Sequence, residues 1–244
     1  MIDKDILGKI QAHAVDMDWN VAFGGKACGN QHLFRVVIIA NFLAEKEGAN
    51  QEICEAGAWL HDIGLIAGND DNPTAIRCIA EEYLMSLGLD DVTQRRIAEC
   101  AETHEGGKRA VSLEARVVHD ADVLDKMGLL GVIRHTWKVV NLIHPDANAS
   151  DVCSLVQQHL QARKERLYTN AARKLVGALN AASWQFFEDR KQAVESISTI
   201  MQDAKQGVIS DKIARKLLLQ TDNQSLMDQL FISDKILQWW YEQG

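Results

Sequence analysis

The chain has 244 residues, with 26 basic against 34 acidic and a formal charge of −8, so its overall field repels nucleic-acid polymers and anionic membranes as partners. With 47% hydrophobic residues and only two prolines, nothing reads as fibrous or broadly disordered, and one domain with a helical extension is the expected body. A small phosphorylated metabolite stays within reach, because a bound divalent cation reverses the sign of the local field in an acidic cleft.

The amino terminus, from Met1 to Trp19, has acidic residues where a secretion signal needs cationic ones, and no stretch reaches the ~18 consecutive apolar residues of a membrane helix. The expected location is cytoplasmic. From Gln31 to Glu47, Leu33, Val36, Val37, Ala40, Leu43 and Ala44 recur at helical spacing. Further helices are expected at 51–63, 74–87, 91–104, 112–118, 121–140, 151–166, 170–202, 208–219 and 223–242, divided by punctuation such as Gly48-Ala49-Asn50 and Gly68 to Pro73. Strand alternation is nearly absent, so the fold class is all-α. A polar stretch from His144 to Ser150 separates 1–145, which holds every candidate catalytic group, from an amphipathic extension over 146–244. The extension closes on Trp239-Trp240-Tyr241, whose rings dock on the core or cover a partner subunit, which leaves monomer and homodimer both open. Five scattered cysteines without a CxxC pair predict buried free thiols in a reducing compartment.

Chemistry concentrates at three places. His32 stands near the start of the first strongly apolar helix. His61-Asp62 ends the next, with Gly64 placed to close it as a left-handed cap. Between Val117 and Lys126, the residues His119, Asp120, Asp122 and Asp125 adjoin apolar runs on both sides. Helical bundles build metal sites from side chains projecting inward from several helices, and three helices could bring His32, His61 with Asp62, and Asp122 to one point. Two imidazoles and two carboxylates without thiolate suit one Mn, Fe, Co, Ni or Zn ion, and suit Mg less well. An open coordination position would make such a site catalytic rather than structural.

His32 followed by Arg35-Val36, then Ala58-Trp59-Leu60-His61-Asp62-Ile63-Gly64, then Asp120-Ala121-Asp122-Val123-Leu124-Asp125, resembles the HD superfamily of metal-dependent phosphohydrolases. The likeness is to the branch whose last motif reads Asp-Ala-Asp-x-Leu-Asp; it extends to Tyr168 through Arg173 and covers roughly 28–190. The resemblance implies an HD-domain helical bundle with a C-terminal helical extension, and His32, His61, Asp62 and Asp122 as metal ligands. Asp122 is preferred as the aspartate of Ala-Asp-x-Leu, leaving Asp120 a supporting carboxylate. Many relatives carry a lysine three residues after the dipeptide that approaches substrate phosphate, where this chain has Leu65. Relatives with two metals place further histidines soon after the dipeptide, and here none follows until His104, so a single ion is favoured.

The implied activity is hydrolysis of a phosphate ester or phosphoanhydride of a small molecule, a nucleotide first among them, by a metal-activated water. Asp62 would accept a proton from the water, and His104 would protonate the leaving group near neutral pH. Developing charge needs cations besides the metal. Arg35, near one turn from His32, and Lys126, four residues from Asp122, are the first candidates, ahead of Arg134, Lys108 and Arg109. The alternative, motivated by Leu65, is a regulatory module that binds a nucleotide or a partner with little or no turnover.

Overall fold

The computed structural model describes residues 2–26, 30–67, 72–105, 108–162, 167–208 and 210–218. Among these the protein is all-α, without a strand, in the order α1 (Lys4–Asp16), α2 (His32–Glu47), α3 (Gln51–Trp59), α4 (Pro73–Ser86), α5 (Asp91–Thr103), α6 (Leu113–Asp125), α7 (Gly128–Lys138), α8 (Ala149–Ala162), α9 (Asn170–Phe186), α10 (Arg190–Lys205) and α11 (Ser210–Leu218). The expected helix at 223–242, with its Trp239-Trp240-Tyr241 cluster, lies outside the described residues, as does Cys28. None of the described helices is long and apolar enough to cross a membrane.

The helix boundaries follow from side chains that satisfy the unpaired backbone groups at helix ends. Asn50 caps α3 by accepting from the Ile53 amide at 3.1 Å, Asn72 caps α4 ahead of Pro73, and the Asp90 carboxylate accepts from Val92 and Thr93 at the start of α5. Gly48, at φ 71° beyond α2, takes the left-handed position that ends a helix.

Four expectations change. The amino-terminal segment forms α1, capped by Asp3, which accepts from the Asp5 amide. The expected break at 119–120 is absent, and α6 runs unbroken through His119, Asp120 and Asp122 before ending at Asp125. The chain breaks instead between 125 and 128, where Gly128 at φ 67° adopts a conformation costly for any other residue. The single helix expected at 170–202 is two, divided before Asp189, whose carboxylate caps α10 by accepting from Lys191 and Gln192.

The chain forms two compact units, each taken over its described residues: Met1–Ala27, Leu33–Val123 and Leu167–Arg173 make one, and Cys28–His32, Leu124–Arg166 and Lys174–Gly244 the other. In the first, α3 packs on α1 and α5, and α5 on α4. The close approach of α3 to α5 depends on Gly57, since a Cβ there would lie 2.5 Å from the Cys100 Cβ and 2.8 Å from its Sγ. In the second, α7 contacts α8, α10 and α11 around a core that includes Val132, Ile133, Val156, Ile197, Ile200 and Ile213. Cys54, Cys100 and Cys153 are buried free thiols, as expected, whereas Cys78 is exposed on α4. Burial pushes the Cys54 and Cys100 thiols well above their ordinary range, so neither is a ready nucleophile.

Gly57→Ala must push α3 from α5, and overpacking of this kind costs about 1–3 kcal/mol. Gly177→Ala on α9, where an added Cβ meets nothing within 4 Å, should be neutral or stabilising by up to ~1 kcal/mol. Urea denaturation of the two variants beside the parent checks both signs.

Candidate metal centre

α2 begins at His32, and the residue before it, Gln31, has φ 53°. This left-handed turn at a non-glycine residue costs about 1 kcal/mol and fixes the entry of the chain into α2. His32 is buried, and its Nδ1 lies 2.6 Å from Asp125 Oδ2 at the last position of α6. An imidazole that donates from Nδ1 to a carboxylate presents the lone pair of Nε2, the usual arrangement of a metal-binding histidine and its supporting acid. The buried Asp125 has a second neighbour in Arg134, whose Nε is 3.8 Å away.

His61 reaches the same tautomer by another route. α3 ends at Trp59, and the chain turns through Leu60 into a tight 3-10 segment, Ile63–Ala67. Within that turn, His61 Nδ1–H donates to the Ala58 carbonyl at 2.7 Å, which leaves Nε2 as the available electron pair. The expected left-handed cap at Gly64 is not formed: Gly64 sits inside the 3-10 segment, where the Leu65 amide donates to Asp62 O at 3.0 Å and closes the turn. Burial alone would lower the His61 pKa, but the Asp62 charge and hydrogen bond, the Asp122 charge and the Ala58 carbonyl together raise it to about 9.

One ligand atom each from His32, His61 and Asp122 lie within 4.8 Å of one another, and all three residues are buried. Asp62 stands beside this group with Oδ2 3.3 Å from His61 Nε2, and its carboxylate is 18% exposed where the His61 ring is fully enclosed. Two imidazole nitrogens and a buried carboxylate turned towards one another suit a borderline divalent cation, which would displace the proton that the raised His61 pKa implies. The donor set fits a metal.

His104 caps α5 and is buried, not a solvent-exposed loop residue. Its Nδ1–H donates to the Ala101 carbonyl at 2.6 Å, and its Nε2, which makes no hydrogen bond of good geometry, lies 3.4 Å from Asp62 Oδ1. Its ring meets that of His61 edge to face at 5.3 Å. Burial alone would lower its pKa, yet Asp62, against the opposing charge of His61, carries it above the ordinary value.

Asp120 is committed elsewhere. It accepts from the backbone amides of Tyr168 at 3.0 Å and Thr169 at 2.6 Å and from the Thr169 hydroxyl at 2.7 Å, holding the start of α9. Of the proposed cations, Arg35 and Lys126 are buried, Lys108 pairs with the buried Glu102 at 2.9 Å, and Arg109 is exposed. His119, noted in the sequence within the last cluster but given no role there, donates from Nδ1 to the His104 carbonyl at 2.8 Å; the visible signal was its place three residues before Asp122 on one helix face.

The family model of the HD domain matches residues 30–127, which include His32, His61, Asp62 and Asp122. The chain carries an HD domain. No curated protein matches the chain. Among solved structures, Bacillus subtilis YpgQ in complex with ADP is 19% identical, covering 78% of this chain and 99% of that one at a TM-score of 0.58. A Lactobacillus plantarum protein is 24% identical, covering 78% and 97%, at a TM-score of 0.55. At these identities the likeness is one of fold.

The two aspartates of the last motif should separate cleanly on substitution. Asp120→Asn keeps one acceptor oxygen but loses the charge and sets an amide NH2 against the donors of Tyr168 and Thr169, and should destabilise the chain by about 1–3 kcal/mol while retaining metal. Asp122→Asn should lose bound metal with little change in helical content. Urea denaturation and elemental analysis of both variants supply the readouts.

Proposed function

We propose that this HD domain is a metal-dependent phosphohydrolase that cleaves a phosphate ester or phosphoanhydride of a small molecule, and that the molecule is a nucleotide. The observation that carries the reading is the convergence of His32, His61 and Asp122 within 4.8 Å, with both imidazoles held by Nδ1 and the partly exposed Asp62 alongside. In this reading His32, His61, Asp62 and Asp122 hold one divalent ion, drawn from Mn, Fe, Co, Ni or Zn ahead of Mg. Such an ion supplies a nucleophile at neutral pH and a Lewis acid for a phosphoryl oxygen.

The side chains divide the remaining work. Asp62 takes the proton of the attacking water. His104 delivers a proton to the leaving group from Nε2, because its Nδ1–H is already given to Ala101. Arg35 and Lys126, both buried, offset charge that develops on the transferred phosphoryl group. Free thiols at four described cysteines agree with action in a reducing compartment such as the cytoplasm.

One observation favours a nucleotide. One similar fold, B. subtilis YpgQ, has been solved in complex with ADP. Asp62 also lines a small cavity of about 20 Å³ together with His13, Met17, Leu33, Trp59, Ile63 and Leu65. Leu65, which replaces the phosphate-approaching lysine of many relatives, is part of that lining.

Purified chain reconstituted in turn with Mn, Co, Ni, Zn and Mg, and offered nucleotides, sugar phosphates and simple phosphate esters, should show transition-metal-dependent release of phosphate or pyrophosphate, strongest on nucleotides. His61→Ala and Asp62→Ala should each lower turnover by about a hundredfold or more with helical circular dichroism retained. Nucleotide binding without metal-dependent turnover would replace this reading with that of a regulatory module. Asp125→Ala, which frees the His32 ring, should weaken metal affinity about 10–100-fold by calorimetric titration.

A further inference from the structure

We infer that His119 is the positioning residue that directs the His104 imidazole towards Asp62. This rests on the proposed role of His104 in protonating the leaving group.

His104 sits at the end of α5, where the last carbonyls of a helix lack intrahelical partners and the chain is free to fray. Two hydrogen bonds remove that freedom. The ring is held from inside α5 by the Ala101 carbonyl, at 2.6 Å from Nδ1. The backbone is held from α6, where His119 Nδ1–H donates to the His104 carbonyl oxygen at 2.8 Å. With ring and main chain both fixed, Nε2 is left 3.4 Å from Asp62 Oδ1, the one edge of the ring on which a transferable proton can reside.

His119 is itself restrained. It is buried on α6, and its ring meets the Tyr168 ring edge to face at 5.0 Å. Tyr168 is held in turn by the hydrogen bond that its backbone N–H donates to Asp120, the neighbour of His119. His119 lies outside the His32, His61 and Asp122 group, and its donor atom is spent on a carbonyl. Its effect on the reaction therefore passes through the direction of His104.

The test compares His119→Phe, which keeps a ring against Tyr168 and removes the donor, with His119→Asn, whose amide nitrogen falls near the position of Nδ1. His104→Gln is run beside them, all in the metal-loaded full chain. Substrates are the best-hydrolysed nucleotide of the panel and a nitrophenyl phosphate ester, whose leaving group departs without a proton. His119→Phe should lower kcat on the nucleotide about 10–100-fold, part of the ~10²–10⁴ that a positioned acid contributes. KM should stay within about twofold, and the nitrophenyl ester should be little affected. His119→Asn should recover most of the loss.

Equal losses on both substrates, or equal losses in the Phe and Asn variants, would make His119 a packing residue and overturn the inference. So would an unchanged kcat in His119→Phe where His104→Gln is impaired, an outcome that leaves the role of His104 standing. A His104→Gln variant as active as the parent on the nucleotide would remove that role instead. Should the Phe variant lose helical content, His119→Gln, with its donor one atom further out, takes its place in the comparison with Asn.

Discussion

The centre depends on one constraint, that a buried imidazole has two nitrogens and can present a lone pair from only one of them while the other carries the proton. In four buried histidines Nδ1 is tied down: His32 to Asp125, His61 to the Ala58 carbonyl, His104 to the Ala101 carbonyl, and His119 to the His104 carbonyl. A carbonyl can only accept, so the tautomer of the last three is dictated by the partner. What faces the remaining ligands and Asp62 is then Nε2 of His32, His61 and His104. Little rotamer freedom remains to be lost when an ion or a substrate arrives, which is how a preorganised site keeps its binding cost low.

The same economy explains α6. Asp122 and Asp125, three residues apart, share a face, one with the ligand group and the other beneath His32. His119, three residues earlier on that face, reaches back to α5, while Asp120 points elsewhere and holds Tyr168 and Thr169. A helix interior is a poor place for four titratable residues unless each has a partner, and here each does. That requirement also accounts for Tyr168 to Arg173: the segment answers Asp120, so its pattern and that of the last motif are two halves of one set of hydrogen bonds. The strain at Gln31 belongs to the same accounting, since entry at φ 53° sets the first turn of α2 and with it His32.

Much of this was legible wherever a local rule decides the structure. The punctuation at Gly48-Ala49-Asn50 and at Pro73 placed helix ends correctly, because a helix end of this kind needs only its own neighbours in the chain. Reading failed where tertiary contacts decide. His119 and Asp120 looked like a helix break and are interior to α6, because their polar groups are satisfied by α5 and by the start of α9. Gly128 and Asp189 were hidden inside apolar periodicity that continues across the breaks they mark. The preference for Asp122 over Asp120 came from resemblance; in the structure Asp122 lies with His32 and His61, while the Asp120 oxygens accept from Tyr168 and Thr169.

The acidic character of the chain and the phosphorylated substrate proposed for it are reconciled by where the charges stand. Several carboxylates near the centre face histidines or cations: Asp125 is shared by His32 and Arg134, and Glu102 by Arg77 and Lys108. Asp62 is the partly exposed acid at the centre, and it stands between two histidines. An ion held there turns a locally anionic site into one that attracts phosphate, while the overall charge of −8 acts mainly against long polyanions, whose many phosphates feel the whole surface. Leu65 fits the same division. Under the proposed function, with Leu65 where many relatives have lysine, phosphate recognition would fall to the metal and to buried cations such as Arg35, and Leu65 instead lines the small cavity beside Asp62.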